Sequence, residues 1–466
     1  MSQTQLAGLP VHQLSRMIAQ REISPLELVD SCLQGIARNE PQLQAFVAVH
    51  ADDARLAAQA AEAAICAGHA VGPLHGIPIA LKDLIEIKGQ VFTGGSQAFK
   101  DRLATRSATL ARKLIAQGVI VLGKTHTVEF AMGGWGTNTL RGTPWNPWDM
   151  HLQRTPGGSS SGSAVAVAGR LVPWAVGTDT GGSIRMPASW CGITGLKTTI
   201  GRISGHGIQP LSPTLDTPGP MARCVEDVAL LYAAMQGRDP LDPLTTGLSY
   251  VDPLAALKRG IRGLRLARMP DSERSYASAE VLAAYDESLR VLQSLGAEIV
   301  TLELPFRFED VAAFNMRIMA AESYALYHAL IDAPAAPLDP DVRPRIAAGR
   351  DISARAYLEA MQQRSVMKQQ FALAMDGIDA LLTPSTMTTA LPLTAVDQTK
   401  APAHYTRFGN YLDLCGLSLP NGFDAQGLPT SLQIVCRGQQ EDLALRIGWA
   451  CEQATDWNAR LPAGLD

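Results

Sequence analysis

The sequence predicts an α/β fold: one large mixed, mostly parallel β-sheet sandwiched between α-helices. Two patterns and one total lead there. Ile77-Pro78-Ile79-Ala80-Leu81 and Val119-Ile120-Val121-Leu122 are short unbroken apolar runs, the signature of strands covered on both faces. Segments of helical period alternate with such runs, as crossover units of a parallel sheet do. Of 466 residues, 46% are apolar and 18% charged, which supplies a wide interior and excludes a disordered chain.

The elements follow in order. Ser24-Pro25-Leu26-Glu27 opens a helix: Ser caps free N–H groups, Pro suits the first turn and Glu closes a capping box. That helix runs to about Pro41. Asp52 to Ala67 is Ala-rich and helical, with Gly68 as its stop. Together they predict an N-terminal helical arm over about residues 1–70. The Ile77 strand, a crossover helix over Ala108–Ala116 and the Val119 strand come next. Strand Val172–Val176, helix Val225–Met235, strand Arg265–Arg268, helix Val281–Leu295 and strand Ile299–Leu304 continue the alternation. A helical insertion over about residues 304–374 interrupts it, and strands at Ala380-Leu381-Leu382 and Leu432-Gln433-Ile434-Val435 resume it. Without an internal repeat or low-complexity linker, residues 1–466 read as a single domain.

Composition removes several function classes. Forty basic against 44 acidic residues give a net charge of −4, which leaves no footprint for nucleic acid or an anionic membrane. Met1-Ser2-Gln3-Thr4-Gln5 lacks the start of a signal peptide, and the longest apolar stretch, around residues 164–176, is cut by Gly169 and Arg170. A soluble, cytoplasmic protein is expected. Seven cysteines without a CxxC pair indicate neither a disulfide frame nor a zinc ribbon. Nine histidines show no HExxH or HxH, so neither metal nor cofactor is expected.

Two short motifs compete for the chemistry and fail on mechanism. Gly118 to Thr125 fits GxxxxGK[ST], but its four intervening residues are apolar and mostly β-branched. The strand lies where a phosphate-cradling loop should be, and Lys124 marks a strand end. Gly158-Ser159-Ser160-Ser161-Gly162 fits GxSxG around Ser160. A nucleophile elbow needs a strand running into it, whereas Asn146 to Pro156 is rich in prolines and polar residues. Asp216 and His206 also stand in the wrong order, which leaves His328 or His404 as partners for such a triad.

The informative segment is longer. Gly157-Gly158-Ser159-Ser160-Ser161-Gly162-Ser163-Ala164-Val165-Ala166-Val167-Ala168 precedes a strand, and Gly177-Thr178-Asp179-Thr180-Gly181-Gly182-Ser183-Ile184-Arg185-Met186-Pro187 follows it. Two serine-bearing glycine turns thus flank one buried strand. The second lets several backbone N–H groups converge, as an oxyanion hole requires.

On these motifs, with Leu81-Lys82-Asp83 upstream and Gly427-Leu428-Pro429 near the C-terminus, the chain resembles the amidase signature family over almost its whole length. Position by position, the resemblance implies Lys82 as catalytic base, Ser159 as a bridging serine on an unusual cis peptide bond and Ser183 as acyl-forming nucleophile. The backbone N–H groups of Thr180, Gly181, Gly182 and Ser183 would hold the oxyanion. The same resemblance puts Met132, Gly133, Gly134, Trp135, Met186 and Trp190 in the substrate pocket. Met186 departs from the Gln typical of glutaminyl-tRNA amidotransferase A subunits.

The trio also makes physical sense. A serine hydroxyl is a weak nucleophile until a base takes its proton, and a neutral lysine serves if burial lowers its pKa. Moving it from ~10.4 to about 7.5 takes about 4 kcal/mol, within reach of a buried site. Asp179 and Arg185 flank the nucleophile as a pair that shapes the turn. Ser160 and Ser163 add hydrogen bonds or caps, and Cys191 is a buried thiol.

The expected activity is therefore a hydrolase acting on non-peptide C–N bonds. The leading reading is an amidase for small or aryl and alkyl amides through an acyl-enzyme on Ser183. Alternatives are a carbamate (urethane) or ureide hydrolase and the A subunit of a glutaminyl-tRNA amidotransferase complex. A small amide or carbamate is the expected partner molecule, and a homodimer is the assembly allowed.

Overall fold

Among the described residues, 3–465 of a computed structural model, eleven strands line up in one sheet. They are β1 (Phe46–Val49), β2 (Pro78–Lys82), β3 (Ile120–Thr125), β4 (Trp174–Asp179), β5 (Thr194–Lys197), β6 (Thr217–Ala222), β7 (Arg265–Arg268), β8 (Glu298–Thr301), β9 (Ala380–Pro384), β10 (Cys415–Phe423) and β11 (Pro429–Cys436). Their spatial order is β1-β3-β2-β4-β6-β5-β10-β11-β9-β7-β8. The helices are α1 (Val11–Ala19), α2 (Pro25–Leu43), α3 (Ala51–Cys66), α4 (Thr109–Ala116), α5 (Ser161–Ala168), α6 (Arg185–Trp190), α7 (Val225–Met235), α8 (Ala279–Ser294), α9 (Phe308–Ile331), α10 (Arg343–Ala347), α11 (Ala354–Ala374), α12 (Arg407–Tyr411) and α13 (Glu441–Gln453). None of the described helices is long and apolar enough to cross a membrane.

The sheet is mixed and helix-covered, but "mostly parallel" needs correction. Four neighbouring pairs are parallel and six are antiparallel. The parallel pairs sit on two flanks, β3-β2-β4 and β9-β7-β8, where α4, α5 and α8 provide the crossovers. The middle is built from β5, β6 and the β10–β11 pair, all antiparallel to their neighbours; of these only β10 and β11 are joined by a short turn, which reverses the chain as a hairpin does.

Local rules account for the flanks. Ser24 Oγ accepts from Glu27 N at 3.1 Å while Glu27 Oε2 accepts from Ser24 N at 2.7 Å, and α2 starts there. It runs past Pro41 to Leu43. The segment expected as a helical arm also contributes β1, the edge strand paired with β3. Over residues 304–374 the chain forms α9, α10 and α11. All seven cysteines are free, and all but Cys66 are buried.

Helix α5 is fully buried at all eight residues. Its small side chains permit this depth, and Gly162 requires it: a Cβ there would run into the Ala45 carbonyl oxygen and the His126 amide. The helix therefore lies close beneath the sheet's β2–β4 region. Those two strands run parallel and adjacent, so their carboxyl ends open side by side, where ligands of α/β sheets usually bind.

Candidate functional site

Lys82 ends β2 and is completely buried. Its Nζ donates to Ser159 Oγ at 2.8 Å, Ser160 Oγ at 3.0 Å and Thr178 Oγ1 at 2.8 Å. Three neutral hydroxyls thus meet three N–H groups, with no carboxylate in direct contact. Burial pushes the ammonium down to about 7, against the pull of Asp179 and Asp216. A lysine so poised is substantially neutral at physiological pH and able to accept a proton.

The three hydroxyls are not equivalent. Ser160 donates its own proton to the Thr178 carbonyl at 3.1 Å and accepts from Thr178 N at 3.2 Å, so its orientation is fixed. Ser159 Oγ has Lys82 as its hydrogen-bond partner among the described residues, leaving its proton free to turn toward the amine. The Gly158–Ser159 peptide bond is cis. Ser163 is tied into the base of the helix, 2.7 Å from Thr125 Oγ1 and donating to Val176 O at 3.1 Å.

The second turn is braced from inside. Asp179, fully buried, accepts from Gly182 N at 2.7 Å and Ile184 N at 3.1 Å. It also accepts from Arg185 Nε at 3.0 Å and Nη2 at 2.9 Å. Burial opposes its charge, but the Arg185 guanidinium outweighs this and holds the carboxyl well below the usual range. The pair shapes the turn. Of the four amides expected to act as oxyanion donors, that of Gly182 is committed to Asp179, while those of Thr180, Gly181 and Ser183 make no intramolecular bond among the described residues.

Ser183 faces a cavity of about 140 Å³. Its carbonyl accepts from Ser160 N at 3.2 Å, which ties the two serine turns together. Its hydroxyl makes no hydrogen bond to Ser159 among the described residues. Met132, Gly133, Gly134, Trp135 and Met186 line the cavity with it. Trp190 does not: it is buried behind the wall, stacked on Trp135 at 5.4 Å and 6°, with Nε1 donating to Thr388 O at 2.8 Å. A larger cavity of about 360 Å³ opens on the lysine side, lined by Thr178, Asp216 and His206 among others. The two share Ala131, Thr180 and Leu211 in their walls.

Other motifs resolve as structure. Lys124 lies at the end of β3, with Nζ on Asp83 Oδ1 at 3.2 Å and Ile85 O at 2.5 Å, and no phosphate loop surrounds it. His404 bonds Glu273 at 2.8 Å and His328 sits 3.2 Å from Ala325 O, so both are engaged away from Ser160. Cys191 donates to Pro156 O at 3.3 Å, and burial pushes its thiol up. Among the described residues one cluster, His12, Cys224 and Asp227, brings ligand-type atoms within 4.8 Å. Asp227 is already occupied by the amides of Val11 and His12 at 2.7 and 3.0 Å, where it anchors α1.

Thr178, Asp216, Arg345 and Arg407 adjoin the site although sequence reasoning assigns them no place in it. Thr178 stands inside the GTDTGGS segment, where it reads only as a strand residue preceding the turn. Asp216 accepts from Thr180 Oγ1 at 2.5 Å and from the amides of Leu211 and Ser212 at 2.8 and 2.9 Å. Burial raises its carboxyl to about 6 despite those bonds. The two arginines arrive from distant sequence with no motif around them.

Known proteins share this arrangement of elements. The family model described as Amidase matches residues 27–445. A curated relative from Roseiflexus castenholzii (strain DSM 13941 / HLO8), the A subunit of its glutamyl-tRNA(Gln) amidotransferase, is 37% identical over 98% of this chain and 98% of its own. A structure described as a vestigial protein complex that reveals the origins of an s-triazine catabolic enzyme superposes with a TM-score of 0.90, at 30% identity over 96% of this chain and 98% of that one. A bacterial aryl acylamidase of the amidase signature enzymes superposes with a TM-score of 0.88, at 27% identity over 98% of each chain.

Proposed function

The chain belongs to the amidase family, and from that premise we propose that it hydrolyses the C–N bond of a carboxamide through an acyl-enzyme on Ser183. The observation that carries this is the fully buried Lys82 bonded to Ser159, with Ser183 in the wall of an adjoining cavity.

In this reading neutral Lys82 takes the Ser159 proton, Ser159 takes that of Ser183 after a rotation about its side chain, and Ser183 Oγ attacks the amide carbon. The N–H groups of Thr180, Gly181 and Ser183 receive the developing oxyanion, where a single donor is worth roughly 3 kcal/mol. The proton returns through Ser159 to the leaving nitrogen and the C–N bond breaks. Water then repeats the sequence on the ester and frees the acid. A carbamate would enter the same scheme, distinguished by release of CO2.

A second reading, the A subunit of a glutaminyl-tRNA amidotransferase complex, is favoured by the name of the 37%-identical relative. Both readings share Ser183 chemistry and differ in whether the chain works alone. Purified chain given a panel of amides, carbamates and esters decides between them. Hydrolysis by the isolated chain, with an acyl adduct on Ser183 seen by mass spectrometry and absent in Ser183→Ala, supports the first reading. Turnover that appears only with added partner subunits supports the second, and turnover undiminished in Ser183→Ala removes both.

A further inference from the structure

The cavity over Ser183 holds a cation that the scheme above leaves idle. Arg407 opens α12 and lines that cavity. Its side chain runs along Gly181: a Cβ built on Gly181 would lie 3.5 Å from Arg407 Cγ. Among the described residues its guanidinium makes no hydrogen bond, and the charge that reaches it is that of another cation, Arg345. Five unused donors on a half-buried group are costly to keep without an anion.

Its neighbours are already employed. Arg345 donates to Met132 O at 3.1 Å and to Gln398 O and Oε1 at 2.7 and 2.9 Å. Lys400 sits at the exposed rim, 3.5 Å from Asp397. No Asp or Glu among the described residues lines this cavity. Asn315, fully buried with both amide atoms unpartnered, lies behind the wall near Gly181, its Oδ1 3.8 Å from the same point, and does not itself line the cavity.

The side of the carbonyl that this cavity serves follows from proton delivery. The leaving nitrogen must be protonated from the lysine side, and the larger cavity contains Thr178, a direct partner of Lys82. The acyl group is left with the cavity that contains Arg407.

We propose that Arg407 receives a carboxylate carried by the acyl part of the substrate, so that the substrate class is a monoamide of a dicarboxylic acid. An acyl group that also bears an ammonium, as glutamine does, meets three cations and no acid there, and is disfavoured. The proposal rests on the hydrolase reading for its chemistry, though not for its binding.

Three amides of equal length test it: glutaramate (anionic), pentanamide (neutral) and L-glutamine (zwitterionic). The wild-type chain is expected to favour glutaramate over each of the others by at least ~10-fold in kcat/KM, the scale of one charged hydrogen-bond pair. In Arg407→Met that ratio collapses toward one, chiefly through KM, and Arg407→Lys recovers part of it. Calorimetry of glutaramate binding to Ser183→Ala, with and without Arg407→Met, reads the same contact without turnover, and a thermal melt of each variant shows that it is folded. Binding lost with Arg407, in a chain that hydrolyses nothing, leaves the arginine assignment standing and removes the hydrolase reading. Pentanamide hydrolysed through Ser183 with no preference for glutaramate overturns the arginine assignment alone. Glutamine turned over as well as glutaramate overturns the exclusion of the ammonium.

Discussion

Lys82 ends β2, Lys124 stands one residue before the end of its parallel neighbour β3, and both are fully buried, yet they keep different company. Burial pushes the Lys124 ammonium down as well, but it faces a carboxylate, Asp83, which opposes that effect. Asp83 in turn holds Thr93 N and Oγ1 at 2.9 and 2.6 Å. Lys82 faces hydroxyls only. Two lysines with nearly the same backbone setting are thus a brace on a carboxylate and a candidate base among hydroxyls. Burial lowers both ammonium groups; what differs is the contacting partner, a carboxylate that favours the charged form in one case and hydroxyls only in the other.

The contrast can be broken by substitution. Lys82→Ala is expected to lower kcat/KM by about 10² to 10⁴, the range for losing acid–base help, while the melting temperature moves little. Lys82→Arg should be as inactive, because a guanidinium does not deprotonate. Full activity in either variant would remove Lys82 from the scheme. Lys124→Ala strands Asp83 in the interior and should cost about 3–5 kcal/mol of stability in denaturant melts. If it melts like wild type, the brace is not structural.

Smaller effects sharpen the difference. Because burial sets Lys82 near 7, kcat/KM should climb about tenfold per pH unit below that value and level off above it, as the neutral amine becomes populated. A rate that does not change between about pH 5 and about pH 8 would argue against the lysine as base. Ser160→Ala removes an acceptor that stabilises the ammonium, so the rising limb should move to lower pH by a fraction of a unit, with about 1 kcal/mol lost in stability. A shift to higher pH would mean that Ser160 donates to the lysine instead.

Much of this architecture is legible in the sequence. The strands ending in Lys82 and Thr125 announce themselves as unbroken apolar runs because helices cover both faces. The two serine turns show because glycine and serine cluster there for a backbone reason. The middle of the sheet does not show. β6 reads Thr-Pro-Gly-Pro-Met-Ala and β10 carries Pro420 and two glycines, residues that argue against a central strand. Their pairing is imposed by neighbours, with a register shift near Pro420 absorbing the misfit. Arg407 is invisible for another reason: nothing in its local sequence differs from an ordinary surface arginine, and only the fold brings it to Gly181.

The close seating of Gly162 reaches further than helix packing. His126 N bonds Ala45 O at 2.9 Å and Gly162 N bonds His126 O at 3.1 Å, so the residues just ahead of β1 are stitched to the helix that carries the serine turn. A shortened version that begins with β1 would lose Ala45 and with it part of the floor on which that turn stands. Trimming or fusion at this end is therefore an intervention at the reactive centre, however remote the terminus looks on a linear map.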